Sequence, residues 1–198
     1  MHKYPRARTT PPASYHEQPR AMAAAAAAML FFLLPLLLIA TAAGEPPQET
    51  TTTHIKVYWH DVVSGPDPTA VMVAQAAVTN ASRTLFGAVM VVDDALTDGP
   101  DLNASKPVGR AQGTYIGAGK DTLALMMSMN FVFQGGEYNG SSVAIMGRND
   151  VFAAVREMAV VGGTGVFRWA RGYAQARTHT FDLNTGDATV EYNLFIRT

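Results

Sequence analysis

The stretch from Arg156 to Gly172 reads R-E-M-A-V-V-G-G-T-G-V-F-R-W-A-R-G. Met158, Val160 and Val161 form a short apolar run, Gly162 to Gly165 form a turn, and Val166 opens a second apolar run, which together signal a β-hairpin. A glycine-rich turn after a strand is also how a phosphate cradle begins, because backbone N–H groups at a helix start bind anions. G-G-T-G lacks the G-x-G-x-x-G spacing, and no Lys-Ser or Lys-Thr pair follows it, so the hairpin is the reading.

Working outward, the same pattern recurs. Short β-branched segments are predicted as strands near 55–63, 70–78, 86–93, 108–118, 122–133, 141–147, 157–161, 166–181 and 188–196. Turn signals separate them: G-P-D-P at 65–68, T-D-G-P-D at 97–101, G-A-G-K-D at 117–121, G-G-E-Y-N-G at 135–140 and N-T-G-D at 184–187. The class is all-β, a sandwich or a barrel.

Two features favour a barrel. Val166 to Phe181 is long for a flat strand, and Gly172 in its middle suits a bulge or bend. Gly109, Ala111, Gly113, Tyr115 and Gly117 share one strand face; small residues there either leave room inside or let another backbone approach, and the spacing leaves both open. The segment 150–157 is the one place where a helical turn is considered.

Residues 1–21 are a polar, basic extension, and 22–44 form an uncharged Ala- and Leu-rich stretch ending A-T-A-A-G. That stretch reads as a secretory signal peptide; its length would suit a membrane span, but Pro35 and the small-residue end favour cleavage and no stable membrane anchor. Met22 offers a second possible start. Residues 45–53 are a Pro- and Thr-rich spacer expected to be mobile, and 54–198 are a single domain.

Composition narrows the function. From Glu45 onward there are 11 Lys and Arg against 15 Asp and Glu, which implies no basic face for nucleic acid. Arg110, Arg148, Arg156, Arg168, Arg171 and Arg177 lie within apolar runs, so some are candidates to point inward. The chain has no cysteine, although a secreted protein has disulfides available to it. Asn80, Asn103 and Asn139 each begin an N-x-S triplet in a polar stretch and are the candidate glycosylation sites.

The chemistry-bearing residues are few. A thiol nucleophile or thiolate metal site is excluded, no H-x-H or H-E-x-x-H occurs, and no metal site or cofactor is expected. His179, in T-H-T, reads as a solvent-facing or hydrogen-bonded strand residue. His60 and Asp61 are adjacent and so face opposite sides of a strand. Asp61 shares its side with Val57, Trp59 and Val63; a carboxyl there has its pKa raised unless a cation pairs with it, so it is either a proton-transfer group or half of an ion pair.

H-D at 60–61, V-V-D-D at 91–94, P-V-G-R-A-Q-G at 107–113 and R-E-M-A-V-V-G-G-T-G at 156–165 occur in that order, and with them the chain from about His54 to Arg197 resembles the plant dirigent family. The resemblance implies a single antiparallel barrel of about eight strands, lipocalin-like or allene-oxide-cyclase-like, with one apolar pocket. It implies trimers, a dimer being the alternative. It matches the family's aspartate to Asp61, its pocket tyrosine to Tyr115 and its arginine to Arg156. A second family aspartate falls on Asn149, and a further pocket tyrosine on Gly117, so the pocket is altered and any step needing two carboxylates is in question.

The implied activity is stereo-direction. Family members steer the coupling of phenoxy radicals from monolignols such as coniferyl alcohol toward one lignan stereoisomer, while a separate laccase or peroxidase makes the radicals. On this reading the protein is an auxiliary with no oxidative centre of its own, secreted to the apoplast, in lignan or wall chemistry. Tyr115 and Arg156 would orient substrate oxygens, and Asp61 would pair with the cation or assist proton transfer. Two rival functions stand beside it: a lipocalin-like carrier of apolar phenolics, and a cyclase or isomerase acting by analogy with allene oxide cyclase.

Overall fold

The computed structural model describes residues 52–198 of the chain. They form β1 (Thr52–Asp61), β2 (Ala70–Gln75), β3 (Ala88–Thr97), β4 (Pro107–Gly117), β5 (Ala124–Phe133), β6 (Ser142–Asp150), β7 (Arg156–Thr164), β8 (Arg171–Phe181) and β9 (Ala188–Arg197), with 3-10 turns at Thr79–Ala81 and Gly165–Phe167. All neighbouring strands from β3 to β9 pair antiparallel.

Closure is made by β1. Along its whole length it pairs with β9, from Thr52 opposite Arg197 to Asp61 opposite Ala188, and its Tyr58, Trp59 and His60 also pair with Thr97, Leu96 and Ala95 of β3. β1 and β3–β9 therefore close into an eight-stranded antiparallel barrel. The ninth strand, β2, lies along the first half of β3, where β1 does not reach. It leaves a short free edge rather than the edgeless barrel that closure alone implies.

Alternation explains which side chains fill the barrel. On β9, Val190, Tyr192, Leu194 and Ile196 are buried while the residues between them are not. On β5 the same period buries Met127, Met129, Phe131 and Phe133. One half of the lumen is packed solid: Phe131 meets Tyr192 edge-on at 5.2 Å between ring centres, and Phe133, Tyr138 and Phe167 form a tilted aromatic cluster. Each such ring contributes roughly 1.5–3 kcal/mol by burial. The other half is hollow, and the candidate site lies there.

The small residues of β4 answer the question of room against close approach. A Cβ on Gly113 would run into the Ser128 carbonyl oxygen and come within 2.8 Å of Met129 Cα; on Gly109 it would run into the Val132 carbonyl, and on Gly117 into that of Leu85. These glycines admit neighbouring backbone; they do not hollow the lumen. Gly172 does the same on β8, where a Cβ would strike the Phe195 carbonyl.

The hairpin exists, but its turn lies further along the chain. Gly162, Gly163 and Thr164 continue β7, and a bulge at the Val161 position, opposite the step from Ala144 to Ile145, absorbs the extra residue. The connection is the 3-10 turn Gly165–Phe167 followed by Arg168 and Trp169, so Val166 is not a strand residue and β8 begins at Arg171. The register shift on β8 falls between Thr178 and Thr180, not at Gly172. Phe167 is buried in the core, Trp169 is 81% exposed, and Tyr173 stacks on Phe195. Residues 151–155 form turns without a helix.

β1 starts at Thr52, so the last two residues of the predicted spacer belong to the sheet. The extension, the signal peptide and the rest of the spacer lie outside the described residues. Asn80, Asn103 and Asn139 are exposed and sit between strands.

Candidate functional site

The hollow end of the barrel is a cavity of about 630 Å³, open at one side, whose wall includes Trp59, Asp61, Met90, Tyr115, Leu125, Asn149, Arg156 and Val190. Its size lies within the usual range for small-molecule sites, about 300–1,000 Å³. The four predicted site residues come from four strands: Asp61 ends β1, Tyr115 lies near the end of β4, Asn149 near the end of β6, and Arg156 begins β7. Antiparallel order brings these strand ends to one mouth. Leu183 to Gly186, the β8–β9 turn, forms part of the rim.

β1 sends Val57, Trp59 and Asp61 inward and His60 outward, as adjacency on a strand requires. His60 is nevertheless buried: its Nε2 meets Thr97 Oγ1 at 2.7 Å and its Nδ1 meets Thr189 Oγ1 at 3.3 Å. Burial pulls its pKa below the ordinary value, which favours a neutral structural histidine. His179 is exposed and meets the Tyr58 ring edge-on.

Asp61 is 7% exposed and has no cation beside it. Burial pushes its carboxyl up to about 7, with the Tyr115 hydroxyl pulling weakly downward and Asp187 adding to the rise. The Tyr115 hydroxyl donates to Asp61 Oδ1 at 3.5 Å, the outer limit of a hydrogen bond. Burial and the neighbouring Asp61 hold that phenol well above its usual range, so Tyr115 is a donor and not a phenolate.

Arg156 is equally buried, and it does not pair with Asp61. Its Nε donates to Asn149 Oδ1 at 2.9 Å, and the Asn149 amide in turn donates to Met127 Sδ at 3.7 Å. The described residues contain three salt bridges, Lys56–Glu191, Arg110–Asp93 and Arg148–Asp150, and neither Arg156 nor Asp61 is in one. The ion-pair reading of Asp61 is thereby corrected. The two groups belong to one cavity wall but remain separate, and Asn149, being an amide, supplies no compensating charge.

Two residues escaped the sequence reading. Asp94 is fully buried; its carboxyl accepts the Trp59 indole N–H at 2.7 Å and the Thr69 hydroxyl, and burial together with nearby Asp61 pushes it up to about 8. Its parity with Met90 and Val92 on β3 was the available signal. Tyr192 is the other. Its ring meets Trp59 edge-on at 6.2 Å, and its buried hydroxyl has no protein partner.

The site can therefore enclose a flat apolar molecule, present a carboxyl that exchanges its proton near neutrality, and offer cationic and phenolic donors. Comparison with known proteins gives the family. The chain is 53% identical over 144 residues to dirigent protein 21 of Arabidopsis thaliana, covering 73% of this chain and 76% of the relative. It is 48% identical over 145 residues to pterocarpan synthase 1 of Glycyrrhiza echinata, covering 73% and 77%. A solved structure of a pterocarpan synthase dirigent protein superposes with a TM-score of 0.70 at 46% identity, over 78% of this chain and 92% of that one. With the dirigent-like protein model matching residues 52–197, and relatives half identical across the whole barrel, the chain belongs to the dirigent family.

Proposed function

We propose that the cavity binds a phenolic intermediate and determines on which face its next bond forms, the substrates being phenoxy radicals of monolignols such as coniferyl alcohol and the radical source a separate laccase or peroxidase. The observation that carries this is the wall itself: apolar and aromatic surface from Trp59, Met90 and Leu125, interrupted by Asp61, Tyr115, Asn149 and Arg156. Free radicals couple without facial preference, so selectivity requires holding one ring in a fixed orientation until its partner arrives. A tenfold preference needs only about 1.4 kcal/mol, which a stacked ring and one placed hydrogen bond supply.

A second reading is ring closure of a reactive phenolic without an external oxidant. Asp61 favours it, because a carboxyl titrating near 7 is suited to proton transfer, which orientation of radicals alone does not need. Relatives named pterocarpan synthases, which are thus named as enzymes, point the same way. Chiral chromatography separates the readings. Optically active product from coniferyl alcohol plus laccase, racemic when the protein is omitted, supports the first. A new product from a quinone methide precursor without oxidant supports the second, and racemic or unchanged mixtures in both assays refute both.

We further propose that the protein is secreted to the apoplast, glycosylated at one or more of Asn80, Asn103 and Asn139, and assembled as a homo-oligomer, a trimer or a dimer. Exposure of the three asparagines supports the glycan reading. A mass shift on endoglycosidase treatment of the plant-expressed protein, and its light-scattering mass, test these points.

A further inference from the structure

Arg156 is a cation buried against the cavity with no carboxylate paired to it among the described residues; Asp150 acts on it only at a distance. It is 4% exposed, its Nε is satisfied by the neutral Asn149 amide, and its Nη1 has no protein partner. No carboxylate among the described residues lies within salt-bridge distance of it. A charge removed from water without a counter-charge costs several kcal/mol, and a guanidinium does not escape that cost by losing its proton at physiological pH.

A second unpartnered donor lies two strands away, behind the wall. Arg156 pairs with Ala176 across β7 and β8, and Ala176 pairs with Tyr192 across β8 and β9, so the three lie in one row on the inner face. The middle residue is the small one. Ala176 and Tyr192 are both completely buried, and neither is part of the cavity wall. The Tyr192 hydroxyl is also buried without a partner. Of the three, Arg156 alone lines the aromatic-walled cavity, so the positive charge that meets a bound molecule is its guanidinium.

We propose that the cavity prefers a ligand carrying an anionic oxygen on an aromatic frame, a carboxylate or a phenolate, and that this oxygen docks on Arg156. The proposal rests on the cavity being a phenolic site, and it names the charge state of what the site takes. Asn149 is what makes this chain so: with a carboxylate at that position, the cation would carry its own counter-charge and a neutral alcohol would fit as well as an acid.

The test compares ferulic acid with coniferyl alcohol, which share a ring and differ in a carboxylate against a hydroxymethyl group. Isothermal titration calorimetry on the full protein at about pH 6, where the acid is ionised, should show the acid binding at least tenfold more tightly. Asn149→Asp should abolish that preference and raise the melting temperature by several degrees by pairing the lone cation. Tyr192→Phe, which removes a hydroxyl behind the wall, should leave the preference for the acid unchanged. An electron-poor nitrophenol, titrated above its own pKa, distinguishes phenolate from carboxylate.

Equal affinity for acid and alcohol, or a preference that survives Asn149→Asp, overturns the proposal while leaving the phenolic site standing. A melting temperature that does not rise in Asn149→Asp overturns the premise of an uncompensated cation. Binding of neither compound overturns both the proposal and the reading of the cavity on which it rests.

Discussion

Replacing Asp94 by asparagine should stabilise the barrel at neutral pH, although the residue is fully buried and doubly hydrogen-bonded. Its carboxyl is pushed from the ordinary 3.8 up to about 8, chiefly by burial. Below pH about 4 the folded and unfolded chains both hold the proton, and Asp94 costs nothing. As pH rises from about 4 towards 8 the unfolded chain releases the proton and the folded chain keeps it. Folding stability is then lost at about 1.4 kcal/mol per pH unit. At pH 7 roughly three such units have accumulated, a ceiling of about 4 kcal/mol.

Asparagine is neutral at every pH and still accepts the Trp59 indole N–H. It disturbs the Thr69 contact at a cost of about 1 kcal/mol. The net expected gain for Asp94→Asn is therefore about 2–3 kcal/mol at pH 7, shrinking to a small loss at pH 4. Asp61 and His60 also titrate in this window, in opposite directions, but both are present in the parent and the variant and largely cancel in the difference. Urea denaturation of both proteins at pH 4, 5.5 and 7 measures it. A variant less stable than the parent by the same amount at all three values would refute the reasoning, because it would show that the native carboxyl carries no protonation cost.

Three further outcomes are expected. Asp61→Asn should not lower the parent's unfolding transition at pH 5 and should lose the enantiomeric excess in the coupling assay, whereas loss of the fold would make Asp61 structural. Gly113→Ala should cost about 3 kcal/mol in chemical denaturation, since its Cβ meets the backbone of Ser128 and Met129, which cannot rotate away; a neutral effect would mean that β4 and β5 can separate. Trp169→Gly should raise the unfolding free energy of dilute protein by about 1 kcal/mol, read as a higher denaturation midpoint, because Trp169 holds φ +69° with its ring 81% exposed. A lowered midpoint that depends on protein concentration would instead place that ring in a subunit contact.

Much of the architecture was legible because strand information is local. Period-2 burial on β5 and β9 is written in residues two apart, and turn residues mark where each strand ends. The inward direction of Asp61 followed from its parity with Val57 and Trp59. Where local signals compete, the outcome was less legible: Gly162 and Gly163 have turn composition, yet the ladder with Val143 and Ala144 keeps them in β7. The row of small residues on β4 had two meanings, and only the position of the β5 carbonyls chose between them.

What the sequence determined by itself was the all-β class, the order of the strands and the residue types available for chemistry, since each depends on neighbours close along the chain. Whether β1 closes on β9, that Asp61 and Arg156 line one wall without pairing, that Asp94 lies behind Trp59 35 positions away, and which half of the lumen is empty were decided only in three dimensions. These depend on contacts between segments distant in sequence, and on how much volume the inward side chains of eight strands leave when they meet. No local pattern encodes that remainder.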